Sequence, residues 1–408
     1  MSKKLAIHGG KPVRKKPLFY SKHWVDEKDI KAVVKVLRSD WLTMGSSIQR
    51  FEKAVAEYAG AKHAIALSSG TAALHGCMFG LGIKPGDEVI TSPMTFVASS
   101  NAVLYMGGRP VFADINPTTG NIDHDEIKRK ISKRTKAIIP VHYAGLPCDM
   151  ADIKKIANQY NLKIVEDAAH ALGSQYKVGN KWFKVGTCAH SDMATFSFHP
   201  VKNITSGEGG MILLNDKKLE KKTRFIRMHG ISTDIRRRLK KELIWLYEMT
   251  DLGLNYRITD IQCALGISQM GKLKKFIKLR NKIAERYQAA FKDMEEISLP
   301  NLSAFQKSVL KHAWHLYVIK LNFEKLRGTR EDIYFALRAE NIWPQVHYIP
   351  VHLHPYYKKK LGYKKGDFPI AEAFYERILS LPLYPKMNGQ DVEDVINAVK
   401  KVIQYYKK

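Results

Sequence analysis

The chain has 408 residues, 45% of them hydrophobic and 26% charged, a balance that excludes a mainly disordered or collagen-like protein and leaves room for two or three domains. Lysine and arginine outnumber aspartate and glutamate by 67 to 39, a net charge of +28, which attracts polyanions. The basic residues are scattered, as in KKLEKKTR (217–224), RRRLKK (236–241) and YYKKK (356–360), so no specific nucleic-acid partner is expected, and a diphosphate-bearing substrate suits the same charge.

Residues 27–38 and 47–59 have the apolar spacing of helices. From there strand and helix patterns alternate. Strands are expected at 62–69, 87–93, 109–115, 135–143 and 162–169, with helices at 71–82, 96–107 and 151–161 between them. Two further strands, 193–200 and 209–215, flank a glycine-containing connection. This alternation predicts an α/β layer with a mostly parallel sheet. After about residue 265 the texture changes to a long basic helix (268–294), a strand (315–322), a helix (330–340) and a closing amphipathic helix (389–408). A large α/β domain with an N-terminal arm (1–265) and a smaller C-terminal α+β domain (266–408) are expected.

Cys77, Cys148, Cys188 and Cys263 lie far apart with no CxxC pair. That disfavours structural zinc and disulfides and suits reduced thiols in the cytoplasm. The first residues, MSKKLAIHGGKPVRKK, have no apolar core of the kind a signal peptide needs. No segment offers the roughly 20 apolar residues of a membrane span, so no membrane partner is expected.

In an open α/β sheet, ligands bind beyond the carboxyl ends of the strands. Three such ends carry chemistry. Ser68-Ser69-Gly70-Thr71 runs from a strand into a helix, which suits an anion or an ordinary N-cap. Val165-Glu166-Asp167-Ala168-Ala169-His170 places two carboxylates and a histidine where a strand ends, suited to a cationic ring nitrogen, a helix cap or a metal. Ser197-Phe198-His199-Pro200-Val201-Lys202, followed by Gly207-Glu208-Gly209-Gly210, puts a lysine where it can shed its proton and attack a carbonyl. A phosphate cradle, an acid for a ring nitrogen and a nucleophilic lysine are together what pyridoxal 5′-phosphate requires.

At these residues the sequence resembles the DegT/DnrJ/EryC1/StrS family of nucleotide-sugar aminotransferases, which have the aspartate-aminotransferase-like fold type I. The resemblance runs from GGKP (9–12) almost to the C-terminus. Its diagnostic stretches include SSGTAALH (68–75), VHYAGLPCDM (141–150), IVEDAAHALGS (164–174), SFHPVKNITSGEGG (197–210) and LGLNYRITDIQCALGISQM (252–270). Within the family, FVASSNAVLYMGG (96–108) and LYEMTDLGLNYRITDIQCALG (246–266) look most like the subgroup that aminates a UDP-linked 4-keto-6-deoxy-N-acetylhexosamine on the route to pseudaminic acid.

The resemblance implies that Lys202 bonds the cofactor aldehyde and shuttles a proton, that Asp167 pairs with the ring nitrogen, and that His170 lies beside the ring. It further implies that Phe96 stacks on the ring, that Gly70, Thr71 and Ser197 hold the phosphate, and that Asn255 reaches it from the other subunit of a homodimer. Substrate contacts are implied for Tyr20, Leu42, Thr43, Gly45, Ser69, Tyr256, His347 and Tyr348, with a UDP-keto sugar and L-glutamate as reactants. His312, His315, His347, His352 and His354 fit no HExxH spacing; pocket or structural roles are expected for them rather than a metal. Two other enzyme readings are an aminotransferase for a dTDP- or GDP-linked keto sugar and another fold-type I reaction, such as a desulfurase. From a different class, a polyanion-binding or regulatory protein on the same fold is disfavoured by Lys202 and Asp167.

Overall fold

The computed structural model describes residues 4–232, 243, 245–300 and 310–408; the basic run at 236–241 lies outside them. Seven strands form the central sheet: β1 (His63–Leu67), β2 (Glu88–Thr91), β3 (Arg109–Phe112), β4 (Thr135–Ile139), β5 (Lys163–Asp167), β6 (Met193–Ser197) and β7 (Gly210–Leu214). Their order is β1-β7-β6-β5-β4-β2-β3. The pairs β6–β5, β5–β4, β4–β2 and β2–β3 are parallel. Strand β7 runs antiparallel to both β1 and β6. Both sheet faces are covered, so β7 is buried at every residue and β5 from Ile164 onward. That is why these strands read as apolar runs rather than as alternation.

Four helices on the N-terminal side set up the site. Helix α1 (Glu27–Leu37) starts with a capping box between Asp26 and Asp29. Helix α2 (Ser46–Ala59) turns Phe51 and Val55 into the core and stops at Gly60, whose φ of 84° is the left-handed value that favours glycine. Helix α3 (Gly70–Leu81) is apolar all round because it is buried on nearly every side. Helix α4 (Ala98–Tyr105) follows Phe96.

A second core gathers around a three-stranded antiparallel sheet of Ile297–Ser298, Tyr317–Leu321 and Ile378–Leu381. Tyr287, Phe291, Ile333, Val395 and Val399 fill it from the surrounding helices. Leu5 and Leu18, from the other end of the chain, are also fully packed there. The arm that carries them is held by the Glu340 carboxylate, which accepts from Ala6 N (2.8 Å) and Val13 N (2.9 Å). Leu18–Phe19 then pairs in parallel with Ile342–Trp343, which delivers Tyr20 to the junction of the two cores.

One expected helix is divided. The pattern at 268–294 spans the end of Asp260–Met270 and the whole of Leu273–Phe291. The break falls at Gly271–Lys272. There the Lys272 ammonium pairs with Asp26 (2.6 Å) and Asp29 (2.5 Å) at the start of α1, so the side chain that looked like helix surface is an anchor.

Candidate active site

The carboxyl ends of β5 and β6 and the start of α3 open on a cavity of about 490 Å³. Ser69 caps α3, its hydroxyl accepting from Ala72 N at 3.1 Å. The first helical N–H groups have no intrahelical acceptor, and Gly70 and Thr71 line the cavity. Gly70 packs so closely on the end of β6 that a Cβ atom there would lie 2.9 Å from the Cβ of Ser197.

Asp167 ends β5, buried against the cavity wall. Its Oδ2 accepts from the Ser99 hydroxyl at 2.7 Å and its Oδ1 from Ala169 N at 3.2 Å. Lys202 lies in the turn after β6, where its backbone N–H donates to His199 O at 2.9 Å. Among the described residues its amine has no hydrogen-bond or ion-pair partner. Burial drives that amine down to about 8, and the negative charges of Asp167 and Glu208 restore only part of the loss. His170 is held well below the ordinary imidazole range, first by burial and then by Lys202, and so is neutral. Its Nε2 lies 2.9 Å from the Tyr348 hydroxyl. Its Nδ1 is buried without a partner among the described residues.

The opposite wall comes from the arm and the second core. Tyr20 packs on His347 with ring centroids 5.0 Å apart. His347 Nδ1 meets the Ser380 hydroxyl at 2.9 Å, and its carbonyl accepts from the Tyr143 hydroxyl at 2.5 Å. Burial takes the His347 imidazole down to about 3. Tyr348 faces Phe96 across the cavity at 6.0 Å between centroids. His315 also lines the cavity, its ring 4.3 Å from that of His170 and its Nδ1 buried without a partner among the described residues. Lys202 thus shares the cavity with the neutral imidazoles of His170 and His347 and with the Asp167 and Glu208 carboxylates.

The structure therefore brings Tyr20, Ser69, Gly70, Thr71, Phe96, Asp167, His170, Ser197, Lys202, His347 and Tyr348 to one cavity. Leu42, Thr43, Gly45, Asn255 and Tyr256 lie outside its lining. Thr43 bridges to Thr259, Leu42 O accepts from Asp260 N, and Gly45 N donates to Asp260 at 2.7 Å. Asn255 is exposed beside Met228, and the Tyr256 hydroxyl meets His75 at 3.1 Å. Of the late histidines, His352 pairs with Glu372 at 2.8 Å and His312 stacks on Trp314 at 4.0 Å. Thr95 and Ser99 contribute to the site without having been given a role from the sequence, although Ser99 stands inside the FVASSNAVLYMGG stretch; for His315 the cavity decides between the pocket and structural roles expected of the late histidines.

A sequence model of the DegT/DnrJ/EryC1/StrS aminotransferase family matches residues 24–400. The chain belongs to that family. It is 42% identical to the spore coat polysaccharide biosynthesis protein SpsC of Bacillus subtilis, over 94% of this chain and 97% of SpsC. Its fold matches Helicobacter pylori PseC, an aminotransferase involved in the biosynthesis of pseudoaminic acid, with a TM-score of 0.86 and 33% identity over 96% of this chain and all of PseC. The PLP form of Spr1654 from Streptococcus pneumoniae matches with a TM-score of 0.85 and 29% identity, over 95% of this chain and 99% of that one.

The protein is a sugar aminotransferase of fold type I that depends on pyridoxal phosphate. Its residues suit that cofactor. The cavity lies within the roughly 300–1,000 Å³ of small-molecule sites. A helix start lines the cavity for an anion, a buried carboxylate lines it too, and a lysine of lowered pKa has no competing partner among the described residues. A keto sugar and an amino donor are the reactants of such an enzyme. Among the described residues no helix is long and apolar enough to cross a membrane, and no cluster of His, Cys, Asp and Glu could hold a metal ion.

Proposed function

We propose that this enzyme moves the amino group of L-glutamate to C4 of a UDP-linked 4-keto-6-deoxy-N-acetylhexosamine, in the cytoplasm, as a step towards pseudaminic acid. The observation that carries the reading is the convergence of Lys202, Asp167 and the Ser69–Thr71 helix start on one cavity. The likeness to PseC over the whole chain supports the substrate class.

Bound pyridoxal phosphate supplies an aldehyde that accepts amino groups and a ring that takes up an electron pair. Lys202 Nζ, half neutral at its lowered pKa of about 8, is the amine nucleophile and carries the proton between carbon atoms of the reactants. Asp167 holds a proton at the ring nitrogen. The N–H groups of Gly70 and Thr71 and the Ser197 hydroxyl would hold the phosphate, and Phe96 and His170 would pack beside the ring. Tyr20, Ser69, His347 and Tyr348 contact the sugar nucleotide. A cofactor-binding unit (1–265) and a smaller unit (266–408) close on it together.

The working form is a homodimer, with Asn255, Tyr256 and the Leu42–Gly45 loop serving the partner's cavity. Exposed apolar side chains support this reading: Trp41 is 63% and Leu252 76% exposed. The Thr43–Thr259 bridge joins the segments that carry them.

A second reading is a keto sugar on another nucleotide such as dTDP or GDP: the chain is 42% identical to SpsC, a spore coat polysaccharide biosynthesis protein, and 33% identical to PseC. The test is the visible spectrum of the purified protein before and after L-glutamate, followed by a panel of 4-keto sugar nucleotides. A yellow band that bleaches with glutamate and returns with the UDP sugar is expected. Return with a dTDP or GDP sugar alone selects the second reading. A protein that stays colourless when given pyridoxal phosphate overturns both.

A further inference from the structure

We propose that Ser99 is a positioning residue for the Asp167 carboxylate, the last link in a chain of hydroxyl donors that runs from Thr95 through Ser99 to Asp167. The inference rests on the reading of Asp167 given above.

Ser99 is fully buried in the first turn of α4, and its Oγ lies 2.7 Å from Asp167 Oδ2. Thr95 Oγ1 lies 2.8 Å from the same Ser99 oxygen. An ionised carboxylate only accepts hydrogen bonds, so the Ser99 proton points at Asp167. A hydroxyl has one proton to give, so Thr95 is the donor to Ser99. The Phe96 carbonyl, 3.4 Å from the same Ser99 oxygen, is the weaker competitor for that proton, being neutral and farther than the carboxylate at 2.7 Å. Among the described residues Ser99 is the one side chain hydrogen-bonded to Asp167; the backbone N–H of Ala169 holds the other oxygen. Lys202, Tyr348, Cys77 and Cys148 feel the Asp167 charge without bonding to it.

The segment from Thr95 to Ser99 also carries Phe96, which lines the cavity. One short stretch of chain thereby ties the aromatic wall to the acid. Ser99 fixes the plane of the carboxylate that would face the ring nitrogen. Without the hydroxyl, the Asp167 side chain is held by the Ala169 N–H alone among the described residues and can turn away from that nitrogen.

The experiment compares wild type, Ser99→Ala, Asp167→Asn and the double variant as holoenzymes. It reads the pH midpoint of the visible absorbance and the cofactor retained on dialysis. Ser99→Ala is expected to displace the midpoint and to weaken retention about tenfold or more, as loss of a hydrogen bond to a charged group does. In the Asp167→Asn background the same substitution is expected to add nothing, because its effect passes through that carboxylate. Ser99→Cys, close in size with a weak donor, is expected to move both readouts in the same direction by less, and serves if the alanine variant does not fold. An unchanged midpoint and retention in Ser99→Ala, with both altered in Asp167→Asn, overturns the role of Ser99 alone. A Ser99→Ala effect that persists undiminished in the Asp167→Asn background also overturns it. An Asp167→Asn holoenzyme indistinguishable from wild type overturns the Asp167 reading and this proposal with it.

Discussion

Gly70 and Ser197 meet at the floor of the cavity, although the helix start of one follows β1, the other ends β6, and those strands do not pair. Strand β7 separates β1 from β6, and the start of α3 crosses its end. The crossing is possible because β7 begins with Gly210, where a Cβ atom would fall 2.1 Å from Ser69 O. A Cβ on Gly70 would fall 2.9 Å from that of Ser197. Two side-chain-free positions let the helix start lean over one strand and reach the next.

Gly70→Ala is therefore expected to cost about 1–3 kcal/mol in stability, the usual penalty of overpacking, and to weaken cofactor retention. Ser197→Gly removes the atom it strikes and is expected to restore the stability in the double variant. Gly210→Ala strikes backbone, and no such rescue is expected. Thermal melts and dialysis of the four proteins check this; equal stability of Gly70→Ala and wild type contradicts it.

Lys202 is assigned both as nucleophile and as proton carrier. A single positioned general base is worth about 10²–10⁴-fold, so Lys202→Ala is expected to lose more than one such factor. The folded protein should still take up cofactor, since the helix start and Asp167 remain. Steady-state turnover of the variant within tenfold of wild type would remove Lys202 from both roles.

The lowered pKa of Lys202 sets a pH dependence. Its neutral form attacks carbonyls, and burial brings the midpoint to about 8. In protein stripped of cofactor, the rate of pyridoxal phosphate uptake is expected to rise as pH climbs through about 8 and then level off. For stability the sign is the same. Between about 8 and the ordinary 10.5 the unfolded lysine is protonated and the folded one is not, so this group favours folding more as pH rises through that window. Stopped-flow absorbance across pH checks the rate; a midpoint at 10.5 would show an ordinary surface amine.

Glu340 is the anchor of the N-terminal arm. Its carboxylate is fully buried, accepts from Ala6 N and Val13 N, and pairs with Lys401 at 2.8 Å. Glu340→Ala leaves Lys401 without its counter-charge, held only by the Lys11 carbonyl at 3.0 Å, strands two backbone donors, and is expected to cost about 3 kcal/mol. The arm ends at Tyr20, so the KM for the keto sugar should rise while the glutamate half-reaction stays near wild type. Urea unfolding and separate assays of the two half-reactions measure these effects.

The expected strand–helix alternation matches the central sheet closely, because each buried strand is a short apolar run bounded by turn residues, which is a local property. The Ser69–Thr71, Asp167 and Lys202 positions were legible for a related reason. They stand at strand ends, and ligands in open α/β sheets gather there. The helix break at Gly271–Lys272 was not legible, since Lys272 looks like any solvated lysine until Asp26 and Asp29 are brought beside it.

By itself the sequence determined the α/β class, the family and the cofactor. Each of these is written in periodicity or in contiguous motifs. The tertiary structure decided what closes around them. It seated Leu5 and Leu18 in a core built from the opposite end of the chain, brought Tyr20 against His347, and placed the Ser99 hydroxyl on Asp167 across a separation of 68 residues. Such contacts depend on how whole elements pack, and a serine in a run of small residues carries no mark of the carboxylate it will meet.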